Sequence, residues 1–99
     1  MRSALLAGSN NIGMYYNYVL YSPQQDKFYI GFTEDLRRRM QEHKSKKSLS
    51  DRTLKNLELL YYEACKSKID AAKREKQLKT GFGRQYLRNR LKDSIRMSL

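Results

Sequence analysis

The chain has 99 residues with 39% hydrophobic side chains, enough for one small domain, and carries 21 Lys or Arg against 10 Asp or Glu, a net charge of +11. One cysteine and one histidine exclude an intramolecular disulfide and a structural zinc finger, and no apolar run reaches the roughly 18 residues of a membrane span. Because residues 66–96 alone hold 11 basic and 3 acidic side chains, the charge indicates a polyanionic partner, with nucleic acid ahead of an anionic membrane surface.

Residues 1–13 differ in composition from the rest of the chain, since they are rich in Gly, Ser and Asn, as loops are. Their apolar patch, residues 4–7, is shorter than the roughly 7–15 residues of a signal-peptide core, so we expect a cytoplasmic protein. Two interpretations remain open for this segment: a loose N-terminal arm over residues 1–13, or a natural start at Met14. Residues 14–99 are predicted to form the single domain.

A β-hairpin followed by a helix is predicted next. Residues 15–21, YYNYVLY, are aromatic and β-branched and predict a strand, SPQQDK predicts a turn, and residues 28–32 predict a second strand. Thr33 is the predicted N-cap of the first helix, with Glu34 and Asp35 in its first turn. This helix is expected to run to about Lys44.

One more strand and two helices are predicted in the second half of the chain. After the polar loop SKKSLSDRT, residues 57–65 (LELLYYEAC) predict a strand, although their Glu and Leu content also suits a helix. Ser67 and Asp70 predict a capping box for the second helix, which is expected to end at Gly81. A third helix is predicted from Arg84 to about Lys92, which gives the order ββαβαα.

The three consecutive arginines of the first helix are not equivalent on a helical wheel. Leu36 and His43 share an inward-facing stripe, while Arg37 and Arg38 fall toward solvent. Arg39 falls on the border of the inward stripe, beside His43. It could snorkel from the edge of the core or project into a cleft.

The second helix places a carboxylate among apolar residues. Glu75 lies about 40° from Ala71 on the wheel, inside the arc that Ala71 shares with Leu78. An unpaired charge at such a position would be costly. Glu75 is therefore expected either in a buried ion pair, for example with Arg39, or as a metal ligand or acid–base group.

Tyrosines lie on both predicted strands of the hairpin. Tyr29 shares a strand face with Gly31, whose missing side chain leaves space beside the phenol. Tyr18 lies in the middle of the partner strand. The two tyrosines could form a packed aromatic pair, or a tyrosine hydroxyl held near cations could serve in proton transfer.

The ordered set of a strand tyrosine, the tripeptide YIG at residues 29–31, Arg39, His43 and a helix glutamate resembles the GIY-YIG nuclease superfamily. The stretches YYNYVLYS, FYIGFTEDLRRRMQEH and AAKREKQLKTGFGRQYLRNRL are similar to its small, single-domain bacterial members. The resemblance covers residues 15 to about 92. It implies an α+β fold in which helices flank a central three-stranded antiparallel sheet.

The resemblance also implies an activity, a cofactor and a partner. The activity is that of a DNA endonuclease, a hydrolase of phosphodiester bonds, directed by DNA structure as in repair or recombination. The implied cofactor is one Mg²⁺ or Mn²⁺ ion, without a small-molecule cofactor, and the partner is DNA rather than a membrane. The sequence does not indicate an oligomeric state.

Five side chains receive a catalytic role from the resemblance. Tyr29, alone or with His43, orients or deprotonates the attacking water, and Tyr18 supports it by hydrogen bonding. Arg39 holds the scissile phosphate. Glu75 is the metal ligand.

Gly31 matches the glycine of the motif. Four further cations are expected to contact the DNA backbone: Arg37, Lys79, Arg84 and Arg88.

The chain departs from the family pattern at two places. The first half-motif reads YNY at residues 16–18, without its glycine and isoleucine. The asparagine that many members carry about twelve residues after the glutamate is replaced by Leu87, and Asn89 falls on a different helical face. These departures keep two alternatives open: a DNA-binding module with weak or no catalysis, and a basic RNA-binding or ribosome-associated protein.

Overall fold

A computed structural model describes residues 13–45 and 56–99 of the chain. The predicted N-terminal arm lies outside the described residues except for Gly13, which is exposed. Most of the predicted polar loop SKKSLSDRT also lies outside them. The predictions of a hairpin, a third strand and the following helices can be compared directly with the structure.

Three antiparallel strands form one sheet with the order β2-β1-β3. The strands are β1 (Tyr15–Ser22), β2 (Lys27–Thr33) and β3 (Glu58–Cys65). A tight turn joins β1 to β2, in which Asp26 adopts a positive φ of 54° and its N–H donates to the Ser22 carbonyl at 2.7 Å. The predicted hairpin and third strand are confirmed, with β1 at the centre of the sheet.

Within the described residues, four helices accompany the sheet, which confirms the predicted α+β class. They are α1 (Leu36–Ser45), α2 (Lys68–Leu78), α3 (Gly81–Arg90) and α4 (Lys92–Ser98). The short helix α4 is missing from the predicted order ββαβαα, whose third helix was expected to end at about Lys92. Within residues 13–45 and 56–99, none of the helices has the length and apolar character to cross a membrane.

The start of α1 corrects one predicted cap. Thr33 is the last residue of β2, and its hydroxyl accepts from the Asp35 N–H at 3.1 Å within the connecting turn. The cap of the helix is Asp35, whose Oδ1 accepts from the Arg38 N–H at 3.1 Å, and α1 begins at Leu36. The prediction of Thr33 as the N-cap was therefore wrong by two residues, because the strand continues through Thr33.

The junction of α2 and α3 corrects a second boundary. Ser67 caps α2 as predicted, but α2 ends at Leu78 and not at Gly81. Thr80 caps the next helix by accepting from the Gly83 N–H at 3.0 Å, so Gly81 is the first residue of α3. Gly81 and Gly83 therefore lie in the first turn of α3, which begins three residues before the predicted start at Arg84.

The main core lies between one face of the sheet and the last three helices. Alternate residues of β1 and β2 point to this face, and the helices cover them with leucines. The buried members are Val19, Tyr21, Phe28, Ile30, Leu78, Leu87 and Leu91. The opposite face of the sheet carries Tyr18 and Leu20 of β1 beside Gly31 and Tyr29 of β2.

Candidate active site

Tyr18 is the centre of a small cluster on this second face. It pairs with Gly31 across the β1–β2 ladder. A Cβ at Gly31 would lie 2.2 Å from the Tyr18 hydroxyl and 2.3 Å from Cζ, so the phenol ring lies directly over the glycine. The glycine of the YIG tripeptide thus makes room for the tyrosine of the neighbouring strand.

Arg39 of α1 donates from Nη1 to the Tyr18 hydroxyl at 3.1 Å. This hydrogen bond raises the pKa of the guanidinium above its ordinary value. Arg39 also pairs through Nε with Glu42 at 3.3 Å, and its side chain is 35% exposed. Arg39 is half-buried, like Leu36 and His43 of the predicted inward stripe, and it reaches Tyr18 from the border of that stripe.

Of the residues near Arg39 on α1, some contact the Tyr18 cluster and others face solvent. The His43 ring packs edge-on against the Tyr18 ring, with 6.1 Å between their centroids. Arg37 and Arg38 are exposed, as predicted. Arg38 pairs with Glu42 at 3.7 Å, so one exposed carboxylate lies between Arg38 and Arg39.

Tyr29 points to the same face of the sheet but has other contacts. It pairs with Leu20 in the ladder, two positions from Gly31. Its hydroxyl donates to Gln25 Oε1 at 2.6 Å, and the Lys27 ammonium lies 6.0 Å from its ring centroid. The structure thus places Tyr29 beside the cluster, with its hydroxyl held by the hairpin turn.

Glu75 lies half-buried on α2, between the buried Ala71 and Leu78 as the wheel predicts. Its carboxylate pairs with Lys79 one turn later, at 3.0 Å, and its side chain is 25% exposed. Arg39, the partner considered from the sequence, pairs with Glu42 instead. Lys79, which was expected to contact DNA, thus contacts the candidate metal ligand.

The surroundings of Glu75 fit a metal that is bound largely through water and substrate. Among the residues that the structure describes, no group of three or more His, Cys, Asp or Glu side chains comes together. Mg²⁺ is commonly bound by one or two carboxylates, with waters and substrate phosphates as the other ligands. A single partly exposed carboxylate is compatible with that arrangement.

Two of the predicted DNA-binding arginines hold the β1–β2 hairpin. Arg84 Nη1 donates to the Phe28 carbonyl at 3.2 Å. Arg88 donates to the side chain and carbonyl of Asp26 at 3.0 and 2.8 Å, and its guanidinium lies over the Phe28 ring. These contacts give both arginines a structural role, and their role in DNA binding stays a prediction.

The structure also explains the two departures from the motif. Tyr16, at the position of the missing glycine, packs edge-on against Tyr62, with 5.8 Å between the ring centroids. Leu87 is 0% exposed within the main core, whereas Asn89 is exposed. The position of the usual asparagine therefore serves packing in this chain.

A polar network between α2 and β3 was not predicted from the sequence. Arg74 donates to both carboxylate oxygens of Glu63 at 2.8 Å, which lowers the pKa of Glu63. Asn17, almost fully buried, donates to the Ala71 carbonyl at 2.9 Å. The available signal for Asn17 was a polar residue inside the apolar segment YYNYVLY. Arg74 and Glu63 gave no such signal, because their pairing depends on how a strand packs against the helix that follows it.

This network borders a cavity of about 280 Å³. The residues that line it are Asn17, Glu63, Ala64, Cys65, Asp70, Lys73, Arg74 and Gln77. None of the predicted catalytic residues belongs to this set, so the cavity lies apart from the Tyr18 cluster.

A family model described as the GIY-YIG catalytic domain matches residues 14–91. No curated protein and no solved structure matched the chain.

Proposed function

Since the chain belongs to the GIY-YIG catalytic domain family, which implies nuclease-type activity, we propose that it is a metal-dependent DNA endonuclease directed by DNA structure, of the repair or recombination type. The observation that carries the proposal is the Tyr18–Arg39 hydrogen bond over Gly31. This contact brings together Tyr18 of the first half-motif, Gly31 of the second half-motif and Arg39, the arginine that is expected from the resemblance to hold the scissile phosphate.

Arg39 would act as the phosphate clamp. A guanidinium has five N–H donors, more than Tyr18 and Glu42 use in the contacts described above. Tyr18 is nearly buried, so its hydrogen bond orients the guanidinium from a fixed position. A phosphate oxygen that displaced the exposed Glu42 carboxylate would receive a charge-assisted hydrogen bond in its place.

Tyr29 is the proposed base or orienting group for the attacking water. Its hydroxyl donates to Gln25, and the neighbouring position on this face is Gly31, over which the Tyr18 phenol lies. His43 is the second candidate for this role because it contacts Tyr18 directly. A positioned side chain that takes up the water proton would favour the hydroxide that attacks phosphorus.

Glu75 is the proposed ligand of one Mg²⁺ or Mn²⁺ ion. GIY-YIG nucleases generally use divalent metal ions, which neutralise phosphate charge and stabilise the leaving oxygen. Lys79 already places a positive charge 3.0 Å from the Glu75 carboxylate. This lysine would turn to a DNA phosphate when the carboxylate takes another cation.

The charge of the chain supports DNA as the substrate. A net charge of +11 on 99 residues favours binding to a polyphosphate, and residues 66–96 hold most of the excess. The exposed Arg37 would contribute to this attraction from α1.

The test is a cleavage panel of flap, branched, duplex and single-stranded DNA with Mg²⁺, Mn²⁺ or EDTA. Wild-type protein is expected to cut at least one branched substrate with a metal and none in EDTA. Glu75→Gln should remain folded, bind DNA as tightly as wild type or slightly more tightly, and lose cleavage, because the amide cannot recruit the cation.

Asp93→Asn is the matched control. Asp93 is exposed on α4, pairs with Arg96, and its substitution changes the net charge by the same amount. It should bind DNA as Glu75→Gln does and cleave at the wild-type rate. Absence of cleavage by folded wild-type protein on every substrate, or full activity of Glu75→Gln, would contradict the proposal.

A further inference from the structure

The outer face of α3 carries aromatic side chains that the core does not use. Phe82 is 91% exposed, and Tyr86, four residues later on the same helix face, is 41% exposed. Arg90 continues this line by one more turn. The stripe from Phe82 to Arg90 is on the order of 12 Å long, at 1.5 Å per helical residue.

Two guanidinium groups lie on rings along this stripe. Arg74 lies over the Tyr86 ring at 5.3 Å, and Arg90 lies over the Tyr61 ring at 5.6 Å. Arg74 is itself fixed by its two hydrogen bonds to Glu63. The negative charge of Glu63 is therefore neutralised by Arg74. The positive charge of Arg90 remains, so the stripe has a net positive charge.

The backbone holds Phe82 outward on a rigid turn. Thr80 donates to the Gln77 carbonyl at 2.7 Å and accepts from the Gly83 N–H at 3.0 Å. A Cβ at Gly83 would lie 2.1 Å from that same carbonyl oxygen, so the first turn of α3 packs directly on the end of α2. The first turn of α3 therefore holds the exposed Phe82 ring in a fixed position.

The stripe lies toward the opposite edge of the sheet from the hairpin side of the Tyr18 cluster. Arg74 of α2 reaches Glu63 on the outer strand β3. Tyr29 and Gly31 belong to β2, the other outer strand. A ligand on the stripe would leave the Tyr18 cluster free.

We propose that Phe82, Tyr86 and Arg90 form a binding platform for single-stranded DNA, with an unpaired base stacked on Phe82 and with Arg74 holding the Tyr86 ring in place. Aromatic rings interleaved with guanidinium groups bind single strands without sequence preference. Every nucleotide offers a flat base that can stack on a ring and a phosphate that can pair with a guanidinium group. The positive charge of residues 66–96 favours single-stranded DNA as the ligand of the platform over an apolar protein surface. The platform rests on the proposed function only in that its ligand is DNA, and it would favour substrates with an unpaired strand.

The absence of tryptophan from the chain permits a direct measurement. Phe82→Trp keeps an aromatic platform and introduces a single fluorophore at the stacking position. Its emission is followed during titration with a twelve-nucleotide single strand and with a blunt duplex of the same sequence, both in EDTA. Met97→Trp, at a position of α4 that is 76% exposed, provides the control fluorophore.

The expected result is saturable quenching of Phe82→Trp by the single strand and little quenching of Met97→Trp. In a separate binding assay, Phe82→Ala should bind the single strand about tenfold more weakly, the typical effect of one lost base stack, and bind the duplex as wild type does. All variants should melt as wild type does, since position 82 makes no core contact.

Unquenched Phe82→Trp, or an equal loss of single-strand and duplex binding in Phe82→Ala, would overturn the platform. A change in oligomeric size in Phe82→Ala would also overturn it, in favour of a contact between copies of the chain. Because these measurements require no cleavage, failure of the nuclease proposal would not change their outcome.

Discussion

Two arginines on opposite sides of the sheet differ in how firmly their hydrogen-bond and ion-pair partners are held. Arg74 forms a two-pronged pair with Glu63 at 2.8 Å and stacks on Tyr86, so its partners are all protein groups in fixed positions. Arg39 has one hydrogen bond to Tyr18 and one pair with Glu42, whose side chain is 55% exposed. A saturated arginine holds a structure together, whereas an arginine with weakly held partners can exchange one of them for a phosphate.

Removing Arg74 should therefore have the largest effect on folding. Arg74→Ala leaves the half-buried Glu63 carboxylate without its main partner, and we expect a loss of about 2 kcal/mol in the free energy of unfolding. Arg39→Ala should cost less than about 1 kcal/mol, because its ion pair is solvent-exposed. Urea denaturation of both variants measures the difference, and equal losses would remove the distinction between the two arginines.

The Tyr18–Arg39 contact can be disturbed without touching either residue. Gly31→Ala introduces a Cβ where the Tyr18 phenol lies, so the ring must move and the Arg39 hydrogen bond is lost. We expect a stability loss of about 1–3 kcal/mol and a fall in cleavage of at least about tenfold from the misplaced guanidinium.

The control for this change is Gly81→Ala, because a Cβ at Gly81 meets no atom within 4 Å and Gly81 is already helical, where alanine is the better helix former. Its melting temperature and cleavage rate should equal or slightly exceed those of wild type. If Gly31→Ala behaves in the same way, the close contact of Tyr18 with Gly31 has no role in positioning Arg39.

The Arg74–Glu63 pair should also give a small pH dependence of stability. Arg74 lowers the pKa of Glu63 below its ordinary value of 4.5, so the stabilisation is complete above that value and is lost as the pH falls through the lowered pKa. Glu63→Gln should be less stable than wild type at neutral pH, and the two stabilities should converge in acid. Parallel curves of unfolding free energy between pH 7 and pH 2 would contradict this assignment.

The elements and the residues of the Tyr18 cluster could be predicted because their signals are local. Aromatic and β-branched residues predicted the strands of the hairpin, and helical periodicity placed Arg39 at the border of the inward stripe of α1 and Glu75 on the apolar face of α2. The helix ends at Thr33 and Gly81 were wrong, because both were assigned from residue type without the strand and helix contacts that determine them.

Pairings between different elements could not be predicted in this way. The Arg74–Glu63 pair, the Asn17–Ala71 hydrogen bond and the contacts of Arg84 and Arg88 with the hairpin all depend on tertiary packing. The Glu75–Lys79 pair is different, because it joins residues one helical turn apart, and helical spacing alone favours Lys79 over Arg39 as the partner of Glu75.

Arg38 and Arg39 provide the most direct test of the account. They are adjacent, carry the same charge and both pair with Glu42, but Arg39 is the one that donates to Tyr18. Cleavage of a flap substrate with Mg²⁺ should fall at least about 100-fold in Arg39→Ala, as when one donor to a reacting group is removed, and stay close to wild type in Arg38→Ala. Equal activities of the two folded variants would show that the Tyr18–Arg39 contact does not mark the active site.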